Sequence, residues 1–356
     1  MKPLVSIIIL NYNGEHFLKD TLIALKNTSY QPIEVIIVDN ASTDDSLNII
    51  RQFDFVTLIE SKENLGFAEG NNVGIRKAAG KYICLVNNDL KVTPGWLDPL
   101  IDFLENHPDY AAVQPKILSW QDETLFEYAG GAGGFLDRYG YPFTRGRILR
   151  YCEKDLGQYD SAARIFWASG ACFCLRKDVI DKVGLLDKDF FLHQEEVDWC
   201  WRMNLAGFKI AAIPSSVVFH HGGGALNYGS PVKLYFNYRN NLAMLLKNME
   251  IITLLSILPV RLLLDFGAIF HNIVQGKLKN TWSIIRGYFS ILRNSKSILT
   301  KRRTVQNKIR VIKDSDLKPV LYSKSIILSY YLGKKSFLEL DMPEAKIEES
   351  IEERSI

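Results

Sequence analysis

Near its amino terminus the chain runs Val5-Ser-Ile-Ile-Ile-Leu-Asn-Tyr-Asn13, a continuous apolar segment that ends in polar residues. A strand that is buried on both faces of a parallel sheet has this composition. Similar segments follow at Ile33–Val38, Val56–Glu60 and Tyr82–Val86, and helical patterns separate them at 17–27, 42–53 and 70–79. This alternation predicts an α/β fold with a doubly wound, mostly parallel sheet.

Polar clusters follow three of these strands: Asn11 with Asn13, Asp39 with Asn40, and Asn87-Asn88-Asp89. Ligands of open α/β sheets bind outside the carboxyl ends of the strands. An aspartate among side-chain oxygens, such as Asp89, suits a hard cation such as Mg²⁺ or Mn²⁺. Turns and helix caps also favour Asn and Asp, so the residues alone leave a structural role open.

An acidic cluster follows later in the chain, where Glu195, Glu196 and Asp198 lie among aromatic residues. Burial and neighbouring like charges raise the pKa of a carboxyl group, as a general base requires. In a helix Asp198 would pair with Arg202 four residues on, which leaves Glu196 freest to face a substrate. The alternative is an acidic first helical turn favoured by the helix dipole.

His220 follows a short apolar segment, Val217–Phe219, and stands before a run of glycines. A histidine placed in this way is a candidate third metal ligand or diphosphate contact. A structural role is the ordinary alternative for a single histidine.

The composition argues against several classes of protein. A net charge of +3 gives no global field for nucleic-acid binding. Five cysteines without a CxxC pair predict buried free thiols rather than a disulfide framework or a zinc site, in a reducing compartment. The first apolar run is too short for a signal peptide, so we expect a cytoplasmic protein.

The carboxyl-terminal part has a different pattern. Residues 251–274 are very apolar, but Pro259, Arg261, Asp265 and His271 interrupt them, so the segment falls short of the roughly 18 uninterrupted apolar residues expected of a spanning helix. No Asp or Glu occurs from 266 to 313. Apolar residues interleaved with cations favour a helix in the interface of an anionic membrane. The alternative is a helical appendage that packs on the main domain or on a second subunit.

We expect a catalytic domain over 1–230 (donor half about 1–115, acceptor half about 116–230), a basic helical region over 231–335 and an acidic disordered tail over 336–356.

Taken together, these motifs resemble glycosyltransferase family 2, the inverting enzymes with the A-type glycosyltransferase fold, over residues 4 to about 250. The resemblance is closest to the bacterial rhamnosyltransferase-like branch, which typically glycosylates lipid-linked or cell-surface glycan precursors. The matching segments are Val5–Asn13, Glu34–Ser46, Glu63-Asn-Leu-Gly-Phe-Ala-Glu-Gly-Asn-Asn72, Leu85-Val-Asn-Asn-Asp89, Trp167-Ala-Ser-Gly170, Phe190–Asp198 and Val218-Phe-His220.

The resemblance implies roles for individual residues. Asp39 would contact the nucleobase, and Asp89 would be the metal-binding acid, with Asn87 in place of the family's first aspartate. Glu196 would be the base, with Glu195 as the alternative, and His220 would lie near the metal and diphosphate. We assign donor binding to Asn11, Asn13, Asp39, Asn64, Gly66, Asn71 and Asn88; catalysis to Glu196, Glu195 and Asp198; a Mg²⁺ or Mn²⁺ ion to Asp89 and His220; and acceptor or sugar contacts to Trp167, Trp199 and Gly170.

The expected reaction is the transfer of a sugar from a nucleoside-diphosphate sugar to a hydroxyl of a glycan or lipid-linked glycan, with inversion. One alternative is a sugar-nucleotide nucleotidyltransferase, which would need a Gly- and Lys/Arg-rich loop after the first strand, where Asn11-Tyr-Asn-Gly-Glu15 stands. The other is a non-catalytic carbohydrate- or nucleotide-binding module. The sequence names neither donor nor acceptor and leaves the oligomeric state open.

Overall fold

The structure is a computed structural model, and it describes residues 1–222, 230–343 and 347. Residues 223–229, which include most of the glycine run after His221, lie outside the described part. The strands are β1 (Val5–Asn11), β2 (Ile33–Asp39), β3 (Val56–Glu60), β4 (Tyr82–Asn87), β5 (Leu90–Val92), β6 (Tyr110–Ser119), β7 (Gly134–Asp137), β8 (Pro142–Thr144), β9 (Arg147–Ile148), β10 (Tyr151–Cys152), β11 (Ala163–Ile165), β12 (Cys172–Arg176), β13 (Lys209–His220) and β14 (Leu321–Tyr322). The helices are α1 (Glu15–Lys26), α2 (Ser46–Ile50), α3 (Gly66–Lys77), α4 (Asp98–Asn106), α5 (Val179–Val183), α6 (Glu195–Leu205), α7 (Pro231–Asn248), α8 (Ile251–Val274), α9 (Leu278–Arg293), α10 (Ser295–Thr304) and α11 (Ile326–Tyr331).

The main sheet has the order β11-β13-β6-β12-β4-β1-β2-β3, with β5 beside β13. Strands β1 to β4 are parallel, and their register sets Asn11 opposite Asp39 and Leu10 opposite Asn87. The polar residues after β1, β2 and β4 therefore meet at one edge of the sheet. The predicted α/β sheet is confirmed, and it is mixed because β12 runs antiparallel to both β4 and β6.

A second, five-stranded sheet has the order β10-β9-β8-β7-β14. Four of its strands come from residues 134–152, a segment in which we find no periodicity. Strands of two to four residues are too short to show an alternating pattern. The fifth strand, β14, arrives from beyond residue 320 and joins the helical region to the catalytic part of the chain.

Two of the cysteines contradict the expectation of free thiols. Cys84 on β4 and Cys174 on β12 form a disulfide, whereas Cys152, Cys172 and Cys200 are free. The antiparallel register sets Cys174 directly opposite Cys84. This pairing joins residues 90 positions apart, and the spacing along the chain does not reveal it.

The carboxyl-terminal region is helical, as expected. Among the described residues, α8 alone has the length and apolar composition of a membrane-crossing helix, despite the interruptions noted in its sequence. Its Arg261 and Asp265 are buried against the rest of the protein. Residues 336–340 differ from the expected disordered tail, because Ser336 donates to Glu153 and Phe337 packs against Phe135. The acidic residues from 348 onward lie outside the described part.

Candidate active site

The edge of the sheet beyond β1 and β2 is closed by a buried hydrogen-bond network. Asn11 Nδ2 donates to Asp39 Oδ1 at 2.9 Å, and Asn88 Nδ2 donates to Asn11 Oδ1 at 2.8 Å. The second Asp39 oxygen accepts from the Ser42 amide at 3.0 Å, which makes Asp39 the start of a turn. The network therefore brings together the predicted donor residues Asn11, Asp39 and Asn88. The structural role that the sequence left open for Asp39 is also present.

The other predicted donor residues have more varied surroundings. Asn13 is exposed, with φ +51°, and its Oδ1 accepts from the Thr43 amide at 2.8 Å. Asn64 Oδ1 accepts from Asn40 Nδ2 at 3.0 Å and from the Gly66 amide at 2.9 Å. Gly66 has φ +74°, where a side chain would be strained and would collide with Phe191. Asn71 is different: it is buried and donates to the Phe67 carbonyl within its own helix, so its side chain supports α3.

The predicted metal residues lie side by side. Asp89 Oδ1 is 3.0 Å from Nε2 of His220, and Nδ1 of His220 is 3.4 Å from Oε1 of Glu127, all three being buried. Burial alone would raise the pKa of Asp89, but the His220 imidazolium holds it below its usual range. Burial alone would lower the pKa of His220, but Asp89 and Glu127 raise it to about 10. In this state His220 is a cation between two carboxylates.

The donor set fits a divalent ion. Two ligands at about 2.1 Å from one octahedral ion lie about 3 Å apart, which is the separation of Asp89 Oδ1 and His220 Nε2. Metal binding would then release the proton from His220. No group of three or more His, Cys, Asp or Glu side chains suited to a metal ion occurs in the described ranges. A diphosphate and water would therefore have to supply the remaining ligands, as is usual for Mg²⁺.

The acidic pair stands at the first turn of α6. Glu195 is buried and Glu196 is partly exposed, and the Oε2 atom of each lacks a hydrogen-bond partner within the described residues. Desolvation raises the pKa of Glu196 to about 7. Desolvation and the charge of Glu196 raise the pKa of Glu195 well above its usual value. Both shifts favour the protonated acids, and Glu196, the less buried of the two, is poised to accept a proton near neutral pH.

A strained turn presents this pair. Phe191, His193 and Gln194 have φ values of +62°, +69° and +72°. Three such non-glycine residues within four positions are costly, and the surrounding structure must hold them. Nδ2 of Asn240, on α7, lies 2.7–2.9 Å from the carbonyls of Phe190, Leu192 and His193. Strain of this kind clusters at active sites, and here it sets the entry into α6.

Asp198 does not reach the same space as Glu196. Its carboxylate is buried and accepts from Arg202 Nε at 3.0 Å, from Lys247 Nζ at 3.1 Å and from Asn248 Nδ2 at 2.9 Å. The expected pair with Arg202 is present, but the assignment of Asp198 to catalysis needs correction. Every face of the carboxylate is occupied by protein, and its role is to fix α6 against α7.

The predicted sugar contacts divide in two. Gly170 lies beside the acid pair, since a Cβ placed on it would be 3.4 Å from Phe67 and 3.7 Å from Glu196. Trp167 and Trp199 are buried and donate to the carbonyls of Phe135 and Gly184. Both indoles pack in the core in this structure, which corrects the expectation that they stack on a sugar.

The sequence patterns do not predict two residues of this site, Glu127 and Asn240. Glu127 follows β6 in a segment without periodicity, and Asn240 belongs to a helix that the sequence separates from the catalytic part. Neither carries a local signal, because each acts on a residue that is about 50 or more positions away in the chain. The Asn240-Asn241 pair within α7 is a hint that this helix makes polar contacts.

Comparisons with known proteins agree with this geometry. The profile of glycosyl transferase family 2 matches residues 6–184. The N-acetylglucosaminyl-diphospho-decaprenol L-rhamnosyltransferase of Mycobacterium tuberculosis is 26% identical over 246 residues, covering 62% of this chain and 77% of that protein. The low-salt glycan biosynthesis hexosyltransferase Agl10 of Haloferax volcanii is 25% identical over 245 residues, covering 66% of this chain and 73% of that protein.

Solved structures share the fold. The mannosyltransferase PcManGT from Pyrobaculum calidifontis, in complex with GDP-Man and Mn²⁺, aligns with a TM-score of 0.50 at 16% identity, covering 86% of each chain. GalNAc-T7 with UDP, GalNAc and Mn²⁺ aligns with a TM-score of 0.53 at 16% identity, covering 68% of this chain and 47% of that one. The expected A-type glycosyltransferase fold is therefore confirmed.

The family match covers half of the chain and spans the sheet edge with Asp39 and Asp89. It excludes the two alternatives left open by the sequence, the nucleotidyltransferase and the non-catalytic module. The chain is a glycosyltransferase, and it belongs to glycosyl transferase family 2.

Proposed function

We propose that this enzyme transfers a sugar, with inversion, from a nucleoside-diphosphate sugar to a hydroxyl of a glycan or lipid-linked glycan in cell-surface polysaccharide synthesis. We place it on the cytoplasmic face of the membrane. The observation that carries the proposal is the acid pair at the start of α6, in which Glu196 has a pKa raised to about 7 and an oxygen without a partner among the described residues.

The reaction is a single displacement. Glu196 removes the proton from the acceptor hydroxyl, whose oxygen bonds to the anomeric carbon of the donor sugar. The bond from that carbon to the diphosphate oxygen breaks on the opposite face, and the leaving nucleoside diphosphate keeps the electron pair. Asp89 and His220 would hold a divalent ion, which when bound offsets the negative charge of the diphosphate. Gly170 keeps the space beside Glu196 open.

Relatives suggest the substrate class. The mycobacterial relative is named for transferring L-rhamnose to N-acetylglucosaminyl-diphospho-decaprenol, a lipid-linked acceptor. A Myxococcus xanthus relative, 27% identical over 229 residues, is named as an O-antigen biosynthesis protein. These names support a rhamnosyl or other hexosyl donor and a membrane-bound acceptor.

A donor panel tests the proposal. The purified chain is incubated with dTDP-, UDP- and GDP-sugars, with Mn²⁺ or with EDTA, and release of nucleoside diphosphate is measured. We expect one nucleotide class to be hydrolysed slowly with Mn²⁺ and not with EDTA, and Asp89→Ala to abolish this hydrolysis.

Asp102→Ala, an exposed position on α4, is the matched control and should behave as the wild type. If no donor is turned over or bound under any of these conditions, the proposal is wrong. Equal turnover by Asp89→Ala and wild type would remove Asp89 from the site.

A further inference from the structure

The outer surface of α8 is mostly apolar, with Ser256 and His271 as its exposed polar side chains. The helix has 24 residues and is therefore about 36 Å long. Its only Asp, Glu, Lys or Arg side chains are Arg261 and Asp265, and both are buried. The side that faces away from the protein carries large exposed side chains: Ile251, Ile252, Leu255, Leu262, Leu263, Phe266, Phe270, Ile273 and Val274.

Helix α9 packs against α8 and also carries exposed apolar side chains. Leu278, Trp282, Phe289 and Leu292 are 57–70% exposed. Lys279, Arg286 and Arg293 are exposed on the same helix, and Lys277 and Lys296 flank it. Exposed apolar side chains in such number on two packed helices are unusual on a monomer and mark a contact with a partner or a membrane. We call the outward side chains of α8 and α9 the apolar face.

The charges around the apolar face indicate what covers it. Residues 266–313 contain Lys and Arg but no Asp or Glu. A second copy of the chain would bring these same cations against one another, whereas an anionic bilayer supplies opposite charge. Long cationic side chains can rest their stems on apolar surface while their charged ends reach lipid headgroups. Trp282 suits the boundary between the acyl chains and the headgroups.

The inner side of α8 decides how the helix meets the bilayer. Arg261 Nε donates to Asp265 at 3.0 Å and Nη1 donates to the Tyr139 carbonyl at 2.9 Å. Asp265 also accepts from the hydroxyls of Tyr141 and Tyr288. If α8 crossed the bilayer, Arg261 and Asp265 would lose these partners and be exposed to lipid, and placing charged side chains in lipid costs free energy.

We propose that α8 and α9 dock the enzyme in the plane of an anionic membrane, with the apolar face in the acyl boundary and the cations of α9 at the headgroups. Interfacial helices bind by this combination of buried apolar area and attraction to anionic lipid. The use of such docking, to reach a lipid-linked acceptor, rests on the function proposed above, but the docking itself is tested without it.

Vesicle flotation of the full chain is the test. We expect the wild type to float with vesicles of phosphatidylglycerol and phosphatidylcholine, and to be released by alkaline carbonate. Leu263→Asp with Phe266→Asp should lower the bound fraction about tenfold or more. Ile23→Asp with Leu156→Asp, at exposed apolar positions outside the apolar face, is the matched control and should float as the wild type does.

Charge is tested separately. Lys279→Glu with Arg293→Glu should reduce binding to the level seen with pure phosphatidylcholine vesicles. Circular dichroism and thermal melting check that each variant is folded, which we expect because the substituted side chains are exposed. Donor hydrolysis by the Leu263→Asp, Phe266→Asp variant should equal that of the wild type, so a failure of docking is distinguished from a failure of the proposed chemistry.

Four results would overturn the docking proposal. The wild type could fail to float with anionic vesicles, or the variant at 263 and 266 could float equally well. Resistance to carbonate would indicate a spanning helix instead. A dimer in light scattering that this variant dissociates, without vesicle binding, would assign the apolar face to a second copy.

Discussion

Replacing Glu196 with glutamine should abolish transfer and, at alkaline pH, stabilise the protein. The pKa of Glu196 is raised from 4.5 to about 7 by desolvation, so the folded state resists ionisation of this carboxyl. A folded pKa above the unfolded value means that stability is complete below pH 4.5 and is lost as the pH rises through 7. At about 1.4 kcal/mol per pKa unit, the loss at pH 8 is up to about 3 kcal/mol. Glutamine has nearly the same shape and cannot ionise.

The assay combines unfolding with activity. Urea unfolding of wild type and Glu196→Gln should give equal stability near pH 4.5 and a gain of up to about 3 kcal/mol for the variant at pH 8. For wild-type transfer, a base with pKa about 7 is about one tenth ionised at pH 6 and about nine tenths at pH 8, so the rate should rise about tenfold.

Two controls sharpen the result. Glu123→Gln, at an exposed position, should change neither the pH profile nor the stability. Glu195→Gln should keep much of the transfer activity, because Glu195 is buried and Glu196 is the proposed base. If Glu196→Gln transfers sugar within a few-fold of wild type, or if the wild-type rate is flat from pH 6 to 8, Glu196 is not the base.

Three further substitutions test the parts that support the acid pair. Lys247→Met removes the ammonium that lies 2.5 Å from Asp187 and 3.0 Å from Asp198. We expect a loss of about 3–5 kcal/mol in the free energy of unfolding by urea. Lys2→Met, in the exposed pair with Asp98, should leave the stability near that of the wild type, and an equally small effect of Lys247→Met would mean that the buried ion pairs do not stabilise the fold. Asn240→Asp places a carboxylate oxygen, which cannot donate, near three backbone carbonyls. Transfer should fall more than tenfold, while donor binding measured by calorimetry should stay near that of the wild type. Unchanged transfer would show that the turn at 191–194 is stable without these hydrogen bonds. Gly170→Ala should be tolerated, because the added Cβ makes only ordinary van der Waals contacts. Gly170→Leu should raise the KM for the acceptor. Equal kinetics for the two variants would mean that the acceptor binds elsewhere.

The donor half of the fold is predictable because β1, β2 and β4 are continuous apolar strands that are mostly buried. The observed bounds of β1 to β4 differ from the predicted ones by at most one residue. Helix starts are less accurate: α3 begins at Gly66 rather than Gly70, since glycines and asparagines disguise its first turn. The short strands from 134 to 152 give no periodic signal, and long-range pairing alone defines them.

The candidate site follows the same division. Asp39, Asp89, Glu196 and His220 stand next to strand or helix ends, where the sequence pattern locates them. Their supports lie elsewhere in the chain: Glu127 meets His220 across 93 positions, and Asn240 meets His193 across 47. Such contacts depend on the tertiary packing of distant segments, so no local sequence pattern predicts them. The prediction that Trp199 contacts a sugar is wrong for a related reason. Trp199 lies near the acids in sequence, but successive side chains of a helix point in different directions, and this one is buried in the core.

Asn87 lies next to the predicted metal residues, at the position where the family has its first aspartate. Its Nδ2 lies 3.2 Å from Nε2 of His220, the nitrogen that also faces Asp89. The buried cluster already holds two acidic side chains, Asp89 and Glu127, beside the one imidazole of His220. A carboxylate at position 87 would add a third acidic side chain, and an uncompensated buried charge is expensive without a cation. Asn87 therefore avoids a third buried acid in this cluster, in which Asp89 and His220 are the residues that would hold a divalent ion.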